Sequence, residues 1–165
     1  MIITYHGENF VKVQHGDLAV ALNPKGTNQV RIGGKDPFII DGPGEYEVSN
    51  VFIRGFGLPT IYTLTLDGLR LIHLGTLGED KIPEVIASEL GEVDILFVAS
   101  PSATAYRLAL TCQPKIIIPL SESKSLISQF LKEADAEKVE PIEKLVLKKK
   151  DVLEKEGEII LLNVA

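Results

Sequence analysis

Residues 61–74, IYTLTLDGLRLIHL, predict a β-hairpin. The dipeptide Asp67-Gly68 at its centre suits a two-residue turn, because both residue types accept positive φ and the turn matches the twist of paired strands. Such a turn would set the register and place the leucines of the two strands opposite one another. Tyr62 would then lie opposite His73 on the leucine-bearing face. We therefore expect His73 to point into a core.

Upstream of this hairpin the chain is dense in short strand patterns. Residues 2–5, 10–13 and 18–22 are apolar stretches separated by Gly, Asn and Asp turns, which favours an antiparallel meander. Residues 38–40 and 51–56 continue the pattern after further turns. The spacing leaves no room for helices in this half.

Downstream of residue 80 the hydrophobic period changes to that of a helix. Asp80 can cap a helix whose apolar positions Ile82, Ile86 and Leu90 recur every four residues, with Gly91 as its stop. This pattern predicts a modest amphipathic helix.

The segments beyond that helix predict a βαβ unit. Residues 95–99 and 116–120 are continuous apolar runs, as in strands covered on both faces, with a helical stretch at 102–112 between them. A third helix is predicted around residues 126–134. Two final strands are predicted at 145–147 and 159–164. Together the elements favour two sheets packed face to face with helices outside, a mixed α/β fold of the αββα type, although the periodicity alone is also compatible with other α+β arrangements.

Composition indicates an ordinary globular chain. Of its 165 residues, 45% are apolar and 24% are charged. A chain of this length and composition can bury a hydrophobic core without disulfides or metal, so we expect one domain over residues 1–165. Cys112 is the single cysteine. With no apolar export segment at the start, this predicts a cytoplasmic protein.

Charge and hydropathy limit the expected partners. The net charge is −6, a balance that repels phosphate backbones, so nucleic acid is not an expected partner. No apolar run reaches the roughly 20 residues that cross a membrane, and we expect no membrane association. The basic run 148–150 lies between apolar alternations, which predicts a solvated hairpin end.

Several short strings carry a family resemblance. They are MIITYHG at 1–7, AVALNP at 19–24, GPGEYEV at 42–48, VFIRG at 51–55, LIHLG at 71–75, VDILFV at 93–98 and PKIIIP at 114–119. In this order they resemble the metallo-β-lactamase superfamily, in particular its small bacterial branch of Zn-dependent hydrolases. Asn23 stands where that branch has an aspartate. The resemblance implies a shortened metallo-β-lactamase-like αββα sandwich.

The same resemblance implies a zinc site that this sequence does not supply. Such sites hold metal through imidazole and carboxylate ligands and activate a water. The defining His-x-His-x-Asp-His string should follow Pro24, yet no histidine occurs between residues 25 and 37. The other ligand positions fall on Gly55 or Phe56, Thr76 and Ser121. We therefore expect no metal and no cofactor.

The three histidines of the chain do not offer a substitute site. His6 and His15 flank opposite ends of one predicted strand, too far apart for a shared metal at about 3.3 Å per residue. His73 is expected in the core, as a hydrogen-bonded residue rather than a ligand.

A vestigial pocket is the remaining site hypothesis. Asn23, Thr76, Ser100 and Ser121, with His73 beside them, would lie near strand ends at the edge where the family's active site opens. Helix capping and turn formation are the simpler explanation of these small polar residues.

Two other sets of residues are predicted to be structural. Cys112, at a helix end, lacks any sequence cue for a catalytic base, which favours a buried structural thiol. Glu45 and Glu47 alternate along a strand, as on a solvated face.

These observations favour a non-catalytic member of the fold, a pseudoenzyme with a degenerate metal site that acts as a binding or structural module. The alternative is a residual metal-dependent hydrolase of a phosphodiester, β-lactam or other ester, with metal held by His73 together with Glu45 or Asp41. A third option is an assembly protein that forms a homo-oligomer across the surface bared by the missing segment. Fold alone does not decide among them.

Overall fold

The computed structural model describes residues 1–22, 28–57, 61–75, 82 and 84–165. Within these residues the strands are β1 (Ile2–Tyr5), β2 (Val11–His15), β3 (Leu18–Leu22), β4 (Asn28–Ile32), β5 (Phe38–Ile40), β6 (Gly44–Val48), β7 (Val51–Phe56), β8 (Ile61–Leu66), β9 (Leu69–His73), β10 (Ile95–Ala99), β11 (Ile116–Leu120), β12 (Leu145–Val146) and β13 (Glu158–Ile159). The helices are α1 (Glu84–Leu90), α2 (Ala103–Thr111), α3 (Lys124–Glu133) and α4 (Lys149–Leu153).

The strands form two sheets. The smaller sheet has the order β12-β1-β2-β3-β4-β5 and is antiparallel throughout. The larger sheet has the order β13-β11-β10-β9-β8-β7-β6. Its strands β6 to β9 are antiparallel, whereas β9, β10, β11 and β13 run parallel. Parallel strands end at a common edge, and that edge positions the candidate site.

The predicted β8–β9 hairpin is confirmed with its register. Tyr62 pairs with His73, and the leucines pair with one another on both strands. Asp67 and Gly68 have φ values of 54° and 67°, the positive pair that a two-residue hairpin turn of this hand requires.

Two apolar layers hold the structure together. The first lies between the inner faces of the two sheets and includes Ile3, Val13, Leu71 and Phe97. The second lies between the other face of the larger sheet and α1–α3, and includes Phe130. Because β10 is covered on both faces, all of its residues are buried, which explains its uninterrupted apolar sequence.

The predicted mixed α/β class with two packed sheets is confirmed. Helices α1–α3 cover the outer face of the larger sheet. The outer face of the smaller sheet instead carries Lys12, Gln14 and Arg31, which are half-buried or exposed. A one-sided antiparallel sheet can present such polar residues to water.

One local prediction was wrong. Residues 148–150 were expected at a solvated hairpin end, but they lead into helix α4. The Lys148 N–H donates to Asp151 Oδ2 at 3.1 Å, which caps the first turn. Val152, on the same short helix, is fully buried in the core between the sheets.

Smaller differences concern element bounds. Strand β4 was not predicted. Helix α1 begins at Glu84, so Ile82 precedes it, and the proposed cap Asp80 lies outside the described residues. Beyond β13, the predicted strand at 159–164 continues only as the bridges Tyr5–Val164 and Ile142–Leu162. In the described part of the chain, no helix is long and apolar enough to span a membrane.

Candidate functional site

The candidate site is a pocket of about 240 Å³ at the carboxyl-terminal edge of β10 and β11. The residues that line it are Tyr5, Glu8, Asn9, Ser100, Leu120, Ser121, Glu122 and Ser123. The structure thus brings together Ser100 and Ser121 of the predicted set. Asn23 and Thr76 lie outside the described residues. His73 lies behind the pocket rather than in its lining.

His73 is a structural residue. Its side chain is completely buried, its Nε2–H donates to the Asn9 carbonyl at 2.8 Å, and its Nδ1 accepts the Gly75 N–H at 3.0 Å. Burial lowers the pKa of His73 to about 4, because a charged imidazolium is disfavoured away from water. The ring is therefore neutral near pH 7, with both nitrogens engaged, and the core placement predicted from the hairpin is confirmed.

The bond from His73 supports the β1–β2 turn, which forms one wall of the pocket. The Phe10 N–H donates to the Gly7 carbonyl at 2.7 Å, and the two residues between them, Glu8 and Asn9, have φ values of 47° and 67°. Left-handed backbone costs a non-glycine residue roughly 1–2 kcal/mol. His73, by holding the Asn9 carbonyl, helps to keep this turn in place.

The serines at the opposite wall differ in their roles. Ser121 Oγ accepts the Ser123 N–H at 3.1 Å, and Ser123 Oγ in turn accepts the Leu126 N–H at 3.5 Å as the cap of α3. Ser100 is not a cap, because Ser102 occupies that position at α2. Ser100 instead has a φ of 53° and is exposed at the end of β10.

Tyr5 is the buried aromatic residue of the pocket lining. Its side chain is only 1% exposed, and the Asn9 backbone N–H lies close to its phenol oxygen. Burial raises the pKa of Tyr5; the Asn9 N–H opposes this rise, while the carboxylates of Glu122 and Glu8 add to it.

Sequence reasoning missed three residues of the pocket lining, of which Glu8 and Glu122 carry its charge. Tyr5 is an inward-facing position of a strand, Glu8 lies in a turn, and Glu122 follows a strand end beside the predicted Ser121. The position of Glu122 after an apolar run was the one available signal.

The described residues do not form a zinc site. They contain no group of three or more His, Cys, Asp or Glu side chains able to hold a metal ion. His6 stacks on Phe10 and its Nε2 lies 2.9 Å from Thr4 Oγ1. His15 lies 3.7 Å from Asp67 at the far end of β2. Within these residues, the available donors do not match the imidazole and carboxylate set of a zinc site.

His73 and Glu45, one of the two ligand pairs of the hydrolase alternative, are also separated. His73 is on the inner face of the larger sheet. Glu45 is exposed on β6 at the edge of the same sheet, and it pairs with Arg54 at 3.0 Å. Two strands, β7 and β8, lie between them, so these side chains do not converge.

A larger groove, of about 520 Å³, lies on the outer face of β6–β8. Glu45, Glu47, Phe52 and Thr65 are among its lining residues. Both glutamates are exposed, as predicted for a solvated face. This groove lies away from the carboxyl ends of the parallel strands, and of the residues predicted for a site it contains Glu45, the metal-ligand candidate of the hydrolase alternative.

Cys112 behaves as a structural thiol. It ends helix α2 and packs, half-buried, against the second apolar layer. Its Sγ lies 4.0 Å from the Leu108 carbonyl. Burial raises the pKa of the thiol, which disfavours the reactive thiolate.

Comparison with known proteins agrees with this architecture. A solved structure from Thermotoga maritima, a candidate Zn-dependent hydrolase of the metallo-β-lactamase superfamily, is similar with a TM-score of 0.78 and 23% sequence identity. The match covers 98% of this chain and 98% of the solved chain, so the two are of closely similar length. No family model and no curated protein matches the sequence. The chain has the metallo-β-lactamase fold.

Proposed function

We propose that this chain is a non-catalytic protein of the metallo-β-lactamase fold, and that it acts as a binding module without metal. The ligand site is the pocket at the carboxyl ends of β10 and β11. The observation that carries the proposal is the composition of this edge. Hydroxyl and carboxylate groups line it, whereas the buried His73 is committed to Asn9 and Gly75.

Position supports the proposal. Ligands of α/β proteins commonly bind beyond the carboxyl ends of parallel strands, and a pocket that gathers polar groups from separate segments is the default binding-site hypothesis. Glu8 and Asn9 come from the β1–β2 turn, and Ser100 and Ser121 follow β10 and β11. Residues held in left-handed conformations, Glu8, Asn9 and Ser100, are also typical of sites where strain serves a function.

The chemistry of the pocket favours binding over hydrolysis. Metal-free hydrolysis would require a nucleophile beside a base that is free to accept its proton. No histidine is among the described residues that line the pocket. Ser121 and Ser123 already accept backbone N–H groups at the start of α3, which gives them a capping role.

Metal analysis tests the proposal. Protein purified without an affinity tag or chelator should contain substoichiometric zinc, iron and manganese, and its midpoint of thermal unfolding should not change on dialysis against a chelator. A tightly bound metal ion would stabilise the folded state through linkage. Stoichiometric metal would therefore contradict the proposal, as would turnover of a phosphodiester, β-lactam or ester that disappears with chelator.

A further inference from the structure

We infer that strand β6, at the edge of the larger sheet, binds an extended segment of a partner protein in which basic residues alternate with apolar ones. The segment would add to the sheet as a further strand. This inference goes beyond the proposed function, because β7, β8 and β9 separate this edge from the strands β10 and β11 that carry the pocket.

Strand β6 is the longest edge strand of the two sheets that the described residues form. It has five residues and contains no proline. The other edge strands are shorter, since β12 and β13 have two residues each and β5 has three. Pro37, directly before β5, has no N–H to donate. Short strands and proline commonly protect sheet edges, and β6 has neither protection.

The backbone of β6 offers hydrogen-bonding groups on its open side. In the two-residue turn between β6 and β7, Ser49 and Asn50 have φ values of 50° and 63°. Such a turn is closed by a hydrogen bond between its flanking residues, so Val48 belongs to a hydrogen-bonded pair. These pairs alternate with unbonded pairs along an antiparallel ladder. The N–H and C=O groups of Glu45 and Glu47 therefore face away from β7.

Aromatic side chains are exposed on both faces of this edge. On the outer face, Phe52 lies opposite Glu47 on the neighbouring strand, is 51% exposed and lines the groove of about 520 Å³. On the inner face, the ring of Tyr46 packs edge-on against Phe38 of the smaller sheet, with ring centroids 6.3 Å apart. Phe38 is itself 43% exposed. A strand added beside β6 would therefore find apolar surface on each face.

Charge selects the residues of the added strand. Glu45 and Glu47 are exposed on the outer face of β6, and residues directly opposite them would be their cross-strand neighbours. Glu45 is shared with Arg54 at 3.0 Å, whereas Glu47 forms no ion pair within the described residues. A lysine or arginine opposite Glu47 would supply the opposite charge, and its aliphatic stem can cover Phe52. The residue opposite Tyr46 would point to the inner face, where an apolar side chain fits.

A second copy of this chain is not the expected occupant. Antiparallel pairing of two β6 strands through their open groups would place Glu45 of one copy opposite Glu47 of the other. Like charges directly opposite one another destabilise a sheet. The glutamates that would attract a basic segment therefore disfavour self-association.

Fluorescence anisotropy with the labelled peptide Thr-Lys-Val-Lys-Val-Lys-Thr provides the test. We expect saturable binding with a dissociation constant of about 100 µM or tighter, as in a weak interface of small area. The peptide Lys-Lys-Lys-Val-Val-Thr-Thr has the same composition without the alternation, and Thr-Glu-Val-Glu-Val-Glu-Thr has the opposite charge. Both should bind about tenfold more weakly or worse. Equal binding of the rearranged peptide, or no binding of the alternating one, would overturn the inference.

Amide hydrogen exchange locates the bound peptide. In the free protein the N–H groups of Glu45 and Glu47 should exchange rapidly, whereas the N–H of Tyr46, which faces β7, should be protected. A saturating concentration of the alternating peptide should slow exchange of the two glutamate amides by about tenfold or more. Protection of these amides in the free protein would show that the edge is already paired. That result would overturn the inference, as would unchanged exchange in the complex.

A charge reversal measures the contribution of Glu47. Glu47→Lys should weaken binding of the alternating peptide by about fivefold or more, because it replaces an attractive cross-strand pair with a repulsive one. The matched control Glu137→Lys, at another exposed glutamate, should leave binding unchanged. Both variants should keep nearly the same thermal midpoint, since both side chains are exposed. Equal weakening by the two reversals would show that net charge, not β6, attracts the peptide, and would contradict the inference.

Sedimentation velocity identifies the other occupant. A dimer that the alternating peptide dissociates would make a second copy the occupant of β6 and would overturn the inference, whereas a monomer that binds the peptide supports it. The proposed metal-free binding function is judged separately, by the metal content of the purified protein.

Discussion

Acidification should destabilise this protein through His73. The ring is neutral and fully buried in the folded state, with its pKa lowered from 6.5 to about 4. In the unfolded chain the ring is free to protonate below about pH 6.5. The unfolded state therefore binds more protons between these two values, and the free energy of unfolding falls as pH falls through that window. The contribution is fully present above about pH 6.5.

The size of the effect follows from the pKa difference. One pKa unit corresponds to about 1.4 kcal/mol, so His73 should account for a loss of about 3 kcal/mol between neutral pH and about pH 4. This is a large fraction of the 5–15 kcal/mol typical of folded domains. Carboxylates titrate in the same range, so the effect must be measured as a difference between variants.

Urea unfolding, followed by circular dichroism at a series of pH values, measures this difference. His73→Gln removes the titrating ring, and it should cost about 2–4 kcal/mol near neutral pH by leaving Asn9 and Gly75 without their partner. The penalty should shrink by about 3 kcal/mol toward pH 4. Ile72→Val, at the buried neighbour on β9, should cost about 0.5–1.5 kcal/mol at every pH. A His73→Gln penalty that does not vary with pH would refute the reasoning, as would a ring pKa near 6.5 measured by NMR.

Three further predictions concern local structure. Gly68→Ala places a side chain at a φ of 67° and should lower the free energy of unfolding by about 1–2 kcal/mol in urea titrations; an unchanged value would exclude the left-handed turn. Ser102→Ala removes the hydroxyl that accepts the Ala105 N–H at 3.1 Å at the start of α2, and it should lower the free energy of unfolding by about 1 kcal/mol. The control Ser128→Ala, at an exposed position of α3, should leave the free energy of unfolding nearly unchanged. Cys112 should react slowly with a thiol reagent at neutral pH in the folded protein and rapidly in denaturant, because burial raises its pKa; equal rates would contradict its packing at the end of α2.

Local sequence was sufficient where local chemistry decides the structure. Asp67-Gly68 sets the hairpin register because few residues accept positive φ at both turn positions. The buried runs of β10 and β11 could be predicted because strands covered on both faces need apolar residues throughout.

Prediction failed where an element depends on its neighbours. Helix α4 has five residues, too few to show a period, and it depends on Val152 docking in the core and on Asp151 capping its first turn. Isolated helices of this length are unstable in water. Its sequence therefore resembles that of a charged turn.

The candidate site was also predicted only in part. Its location at the strand ends followed from the family strings and the βαβ unit, and Ser100 and Ser121 do lie together there. Their positions follow from two parallel strands that end at the same edge. The role of His73 in the core also followed from the hairpin, since cross-strand pairing places it opposite Tyr62.

The charge of the pocket was decided by tertiary structure alone. Tyr5 and Glu8 are separated from Glu122 by more than a hundred residues along the chain, and no periodicity or motif relates such distant positions. They meet because the smaller sheet packs on the larger one, and because His73 fixes the Asn9 carbonyl of the turn that bears Glu8. The sequence by itself determined the fold class, through local hydrophobic patterns and the order of the family strings, and it lacks the family's histidine string between residues 25 and 37. Which side chains face the pocket depended on how the two sheets pack, which involves contacts between segments distant in sequence.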